Sequence, residues 1–134
     1  MKVVIETPKW SFTKYGTDGG RPVPEFVSPL PNIFNYGYVE GTKAADGMEE
    51  DAIVLGPTLK AGDRVEARRV GVVRFLDRGL KDDKIVCSMR GRLSASERAS
   101  ISAFFTVYAA YKTLRYALAG RPHPVCRYLG FFEE

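Results

Sequence analysis

Two short segments concentrate carboxylates in a pattern that suits ion chemistry. Asp46-Gly47-Met48-Glu49-Glu50-Asp51 carries four acids in six residues. Asp77-Arg78-Gly79-Leu80-Lys81-Asp82-Asp83-Lys84 carries three acids interleaved with three bases. Each places two aspartates five residues apart around a glycine, which permits the tight backbone that converging carboxylates need. Hard divalent cations such as Mg²⁺ take oxygen ligands, usually one or two carboxylates completed by waters and substrate phosphates. Two facing loops of this kind could hold more than one ion. Lys84, beside Asp82 and Asp83, offers a cation for a phosphate bridged to such ions. The competing reading of either segment alone is a solvated acidic turn, and for Lys84 a surface ion pair of little consequence.

Both segments abut predicted strands. Ala52-Ile53-Val54-Leu55 is an apolar run bounded by Asp51 and Gly56-Pro57 and reads as a buried strand. Lys84-Ile85-Val86-Cys87 reads as another. Upstream, Lys2 to Tyr15 is strand material, and Thr17 to Pro31 is rich in Gly and Pro, hence a loop or a sheet edge. Arg64 to Phe75 is long and β-branched after a turn at Ala61-Gly62-Asp63, and the whole region to Met89 reads as a β-rich meander. The last third changes period. Ser94-Ala95-Ser96-Glu97 matches a capping box, and Ile101, Phe104, Phe105, Tyr108 and Tyr111 follow helical spacing up to a stop near Gly120, before Pro122. The aromatic stripe is expected to be mostly core packing. The fold class is α+β, mainly β: a small barrel or curled sheet with one long C-terminal helix.

Composition bounds the function. The 134 residues suit one domain, taken as 1–134, and 45% hydrophobic with 27% charged residues argues against disorder. No apolar run approaches the roughly 20 residues a bilayer needs. Met1-Lys2-Val3-Val4-Ile5-Glu6 meets an acid after three apolar residues, too soon for an export leader. Two cysteines, Cys87 and Cys126, are too few for a disulfide framework and are expected to be buried free thiols, which places the chain in the cytoplasm. The net charge of +4 is unevenly spread. Glu40 to Asp51 holds five acids against Lys43, whereas Ser88 to Arg127 holds seven bases against Glu97. The basic average therefore surrounds a local acidic site. Arg64, Arg68, Arg69 and Arg74 would suit nucleic acid on a barrel, but outward charges on strands are the plainer reading, so a nucleic-acid partner is not expected. His123 lies between two prolines and reads as a loop residue. Gly16 to Gly20 lacks the P-loop pattern, and neither cysteine comes with a readable triad.

Several segments, in order, resemble the soluble family I inorganic pyrophosphatases. Val4-Ile5-Glu6-Thr7-Pro8 looks like the opening strand, and Lys14-Tyr15 like the substrate-lysine segment. Asn35-Tyr36-Gly37-Tyr38 with Gly41-Thr42 looks like the approach to the D-G-D-x-x-D signature, which stands here as Asp46 to Asp51. Asp77, Asp82 and Lys84 keep the D-x4-D-x-K spacing, and Phe104-Phe105 with Tyr108 resembles the helix bearing a phosphate-binding tyrosine. The resemblance runs from about residue 3 to about residue 118. It implies a five-stranded OB-like barrel with a flanking helix and Mg²⁺-dependent hydrolysis of pyrophosphate. It implies Asp46, Asp51 and Asp82 on the first metals, and Asp77 with Asp82 on a further metal that arrives with substrate. These four aspartates and Lys84 would form the catalytic set. Lys14, Tyr36, Lys84 and Tyr108 would contact phosphate oxygens, and a homo-oligomer would be common.

The chain departs from the pattern at several places. Met48 stands at the signature's middle aspartate, and loss of a general base there costs about 10²–10⁴ in rate. Gly16 replaces an acid, Pro24-Glu25-Phe26 replaces an Asp-Arg pair, and Ala109 replaces a lysine. Glu49 or Glu50, Arg21 and Lys112 are the candidate substitutes. The expected activity is hydrolysis of pyrophosphate or a related phosphoanhydride at a reduced rate. The alternative is a non-catalytic relative that binds metal and phosphate compounds.

Overall fold

A computed structural model describes residues 1–134. Ten strands and one helix run in the order β1 (Lys2–Thr7), β2 (Thr13–Asp18), β3 (Arg21–Val27), β4 (Asn35–Val39), β5 (Asp51–Leu55), β6 (Arg64–Glu66), β7 (Arg68–Asp77), β8 (Leu80–Lys81), β9 (Lys84–Ser88), α1 (Ala95–Leu118) and β10 (Cys126–Glu133). The main sheet follows the path β10-β7-β9-β5-β4-β1-β6, with β8 paired to β7. β6 and β7 are consecutive pieces of one strand, interrupted only at Ala67, whose amide and carbonyl bond Met1 at the start of β1. The path from β7 to β6 therefore closes on itself. The result is the five-stranded OB-like barrel: β1, β4, β5, β9 and the bent β6–β7 strand.

The meander expected from the sequence is corrected here. β5 and β9 pair in parallel, Ala52 opposite Ile85 and Val54 opposite Cys87, because the bent strand between them crosses the barrel to pair with both β1 and β9. Alternation splits the apolar residues between two faces. Val3, Ile5, Val39, Ala52, Val54, Ala67, Ile85 and Cys87, drawn from β1, β4, β5, β9 and the Ala67 bend of the fifth strand, fill the interior. Ile53, Leu55, Val73, Phe75 and Val86 face outward, where Ile101, Phe105 and Ala109 of α1 cover them. β5 and β9 are thus buried on both faces, which explains their unbroken apolar runs.

α1 begins with the expected capping box. The Ser94 hydroxyl accepts from the Glu97 amide at 3.1 Å, and the Ser94 amide donates to the Glu97 carboxylate at 2.9 Å. The Gly- and Pro-rich stretch is the β2–β3 hairpin, a two-stranded sheet of its own. It is tied to β1 through Tyr15 N donating to Thr7 Oγ1 and Thr17 Oγ1 donating to Glu6. β4 was legible only as a motif. Its Gly37 faces β1 so closely that a side chain there would overlap the Val4 carbonyl. β10 was not foreseen. It pairs antiparallel with β7, and a bulge between Tyr128 and Gly130 breaks its alternation. Both cysteines are buried and free, and His123 sits in a loop at φ 52°.

Candidate active site

The parallel register of β5 and β9 sets Asp51 and Lys84 side by side at the starts of two strands. Lys84 is buried, and its ammonium donates to Asp51 Oδ2 at 2.9 Å and pairs with Asp82 Oδ1 at 2.8 Å. The carboxylates themselves are about a third exposed. The ammonium also lies 5.7 Å from the centre of the Tyr36 ring. Burial opposes the charge on Lys84, but the carboxylates of Asp51 and Asp82 more than offset that cost and hold its pKa well above the ordinary lysine value. Tyr36 is kept protonated by burial, which raises its pKa well above 10.0. Its neighbour Asn35 fixes it in place. Asn35 is fully buried, accepts from the amides of Lys9 and Leu59, and donates to the carbonyls of Val54 and Pro57, so every valence of the amide is used. Within the Asn35-Tyr36-Gly37-Tyr38 motif, burial marks Asn35 as the residue that anchors the start of β4 beside Tyr36.

The other two aspartates lie apart from this centre. Asp77, at the end of β7, receives the Lys112 ammonium at 2.6 Å, the Tyr116 hydroxyl at 3.4 Å and the Cys126 thiol at 3.6 Å. Burial alone would raise its pKa; the Lys112 bond and charge, aided by Cys126 and Arg78, reverse this and hold it below the ordinary value. Asp46 sits on the exposed loop between β4 and β5 and accepts from the Met48 amide at 2.9 Å. Met48 and Glu49 are exposed on the same loop. No three of the chain's carboxylates, thiols or imidazole converge as an ion cage in this structure. Asp51 and Asp82 come together on Lys84; Asp46 and Asp77 join neither each other nor that pair. Glu6 gathers the charge that sequence reading left unassigned. Burial, then the fields of Asp51, Glu25 and Glu49, raise its pKa against the opposing bond from Thr17.

A cavity of about 530 Å³ opens beside Lys84, between the β2–β3 hairpin and α1. Lys14, Tyr36, Lys84 and Tyr108 all line it. Lys14 donates to Asn32 Oδ1 at 2.6 Å and to the Leu30 carbonyl at 3.0 Å, and pairs with no carboxylate. With no counter-charge, burial lowers its pKa to about 8. Tyr108 lies nearly parallel to Phe104, ring centres 5.7 Å apart. Lys112 lines the same cavity but is held by Asp77. Arg21 starts β3 at the exposed hairpin tip and does not reach the cavity. Glu25 lies at the β3 bulge, and its carboxylate covers Gly16 so closely that a Cβ there would meet it at 2.5 Å. Gly16 is therefore the position that lets β3 send an acid across to β2.

A sequence profile described as inorganic pyrophosphatase matches residues 3–119. Among relatives, the inorganic pyrophosphatase of Gluconobacter oxydans is 38% identical over 92 residues, covering 65% of this chain and 53% of the relative. That of Haemophilus influenzae is 43% identical over 94 residues, covering 65% and 52%. The chain spans about half the length of these relatives. The solved inorganic pyrophosphatase of Helicobacter pylori superposes with a TM-score of 0.80 at 29% identity, covering all of this chain and 84% of that one. The Thermus thermophilus structure gives a TM-score of 0.83 at 24% identity, covering 99% and 82%, and bears on the fold alone. With its profile match, ordered motifs and closed barrel, the chain belongs to the inorganic pyrophosphatase family, of the family I type.

Proposed function

We propose that the chain hydrolyses pyrophosphate to two phosphates with Mg²⁺, at a reduced rate. One observation carries the reading: a buried lysine held between two carboxylates at the edge of a cavity lined by Lys14, Tyr36 and Tyr108. Asp51 and Asp82 fit a hard ion by chemistry, since each commits an oxygen to Lys84 and remains partly open to solvent. They are the residues that would hold it, with Asp46 joining from its loop and Asp77 once freed from Lys112. When bound, such an ion neutralises phosphate charge and makes a water more acidic. The protein's own part is positioning. Lys84 spans the carboxylate side and the cavity, so a phosphate beside it meets a charge already desolvated and fixed. Lys14, Tyr36 and Tyr108 then hold the remaining oxygens from the hairpin, the barrel and the helix.

Phosphate release from pyrophosphate with Mg²⁺, compared with Asp82→Asn, tests the proposal. Release that is lost in the variant is the expected result; equal release from both overturns it. The exposure of Met48 and the separation of Asp46 favour a second reading, a non-catalytic protein that binds metal and phosphate compounds. Tight binding of a nonhydrolysable analogue without any turnover would select it. Against a nucleic-acid role, Arg64 is paired with Glu40, Arg69 with Glu134 and Arg74 with Asp83. No helix is long and apolar enough to cross a membrane. Two free thiols suit a reducing cytoplasm. A homo-oligomer belongs to the same reading, with exposed Leu114 and Leu118 of α1 as apolar surface available to it.

A further inference from the structure

The cavity beside Lys84 is lined by two kinds of group. Lys84, Lys14 and Tyr36 are suited to phosphate oxygens. Phe26 from the hairpin, opposite Lys14 in the β2–β3 register, and Tyr111 and Arg115 from the helix line it as well, and none of these three has a part in the proposed hydrolysis of a bare pyrophosphate. Phe26 is exposed on an edge strand, yet its ring lies 5.0 Å from the Arg115 guanidinium across the opening. Twelve of the 21 lining residues are hydrophobic, so much of the wall offers nothing to a small, strongly hydrated anion. The volume of about 530 Å³ falls within the roughly 300–1,000 Å³ typical of sites for organic ligands. Five cations and a single acid, Glu25, line the cavity, and Glu25 makes no ion pair. An unpaired carboxylate at the rim accepts hydrogen bonds from hydroxyl or amino groups, which inorganic pyrophosphate lacks.

We infer that the cavity takes a nucleoside diphosphate, its phosphates at Lys84 and Lys14 and its base against Phe26, Tyr111 and Arg115. Aromatic faces and a guanidinium plane are the surfaces on which bases stack. Glu25 then accepts from the sugar hydroxyls or an exocyclic amine. The hairpin supplies one wall and the helix the other, so the ligand bridges two elements that share no strand pairing. The inference rests on the proposed function only in taking Lys84, Lys14 and Tyr36 as a phosphoanhydride site.

Two probes isolate the nucleoside. Methylenediphosphonate and α,β-methylene-ADP share a nonhydrolysable P–C–P core and differ by the adenosine. Calorimetric titration in one Mg²⁺ buffer is expected to show the nucleotide binding about tenfold tighter or better, the size of one stacking contact. Phe26→Ala, at an exposed strand position, is expected to weaken the nucleotide by about tenfold and leave methylenediphosphonate unchanged. Arg115→Gln is expected to act in the same direction. Equal affinity of the two probes overturns the nucleotide site, as does an equal loss for both in the two variants. Pyrophosphate hydrolysis is scored separately on the same proteins. Hydrolysis without nucleotide preference refutes the nucleotide site alone; nucleotide preference without hydrolysis supports it and refutes only the catalytic reading.

Discussion

The two sides of Lys84 are built on different principles. On one side stand carboxylates from the barrel strands and their loops: Asp51, Asp82 and, further out, Asp46. On the other stands a cavity whose lining holds five cations and one acid. The carboxylate side is delivered by the parallel β5–β9 pair, buried on both faces. The cavity side is delivered by a detached hairpin and the exposed rim of a helix. Strands buried on both faces fix the two charges side by side, while the cavity is walled by a hairpin and a helix that lie outside that pair. Lys84 is the cavity cation whose ammonium touches both Asp51 and Asp82, so the two sides meet in one residue.

Removing that residue should disrupt both sides at once. Lys84→Met is expected to lower kcat/KM for pyrophosphate by about 10²–10³, the size of a lost charge-stabilising donor, in a phosphate-release assay. A loss confined to KM would separate the two sides again. Lys112→Met tests the second bridge between helix and barrel. It leaves the half-buried Asp77 with only the longer Arg78 contact at 3.6 Å and is expected to cost about 1–3 kcal/mol in urea unfolding at neutral pH. Adding Asp77→Asn should restore most of that stability. Because the folded pKa of Asp77 lies below its unfolded value, this contribution is present above the ordinary carboxylate range and fades as pH falls through the folded pKa.

Lys14 sharpens the comparison through pH. Its ammonium loses charge near pH 8, well before Lys84 does. Affinity for a pyrophosphate analogue should therefore fall by up to about tenfold per pH unit above that point, and Lys14→Arg should remove the decline. The stability effect has the opposite direction. Between about 8 and 10.5 the unfolded chain binds the extra proton, so this lysine favours folding as pH rises through that window. The smallest effect should come from Asp46→Asn. Because it joins only from its exposed loop, it should cost about tenfold in Mg²⁺ affinity, measured by the Mg²⁺ dependence of turnover. A loss as large as that of Asp82→Asn would show that the loop closes on the ion.

Legibility followed locality. The capping box at Ser94 and Glu97 and the apolar strands β5 and β9 are written in consecutive residues, and the structure has them where the sequence puts them. The Asp82 to Lys84 contact could be anticipated because the two lie on one short turn. Local patterns left a barrel or a curled sheet open, and the family resemblance implied the five-stranded barrel; the closure itself depends on the bend at Ala67 pairing with Met1. The Lys112 bond to Asp77 was also hidden: the partners are 35 residues apart on different elements, and Lys112 was expected to face phosphate instead. β10 escaped notice because Gly130 and its bulge interrupt the alternation that marks a strand. Glu25 escaped because its partner is an empty space, the missing side chain of Gly16.

The separateness of the β2–β3 hairpin has a consequence in time. Its amides are bonded mainly within its own two strands, whereas those of β5 and β9 lie in the middle of the closed sheet. Amide hydrogen exchange should therefore proceed in the hairpin through local opening, while Val54 and Val86 wait for global unfolding. Lys14 and Phe26 should then open and reseat with that hairpin while the barrel, with Lys84 inside it, stays folded.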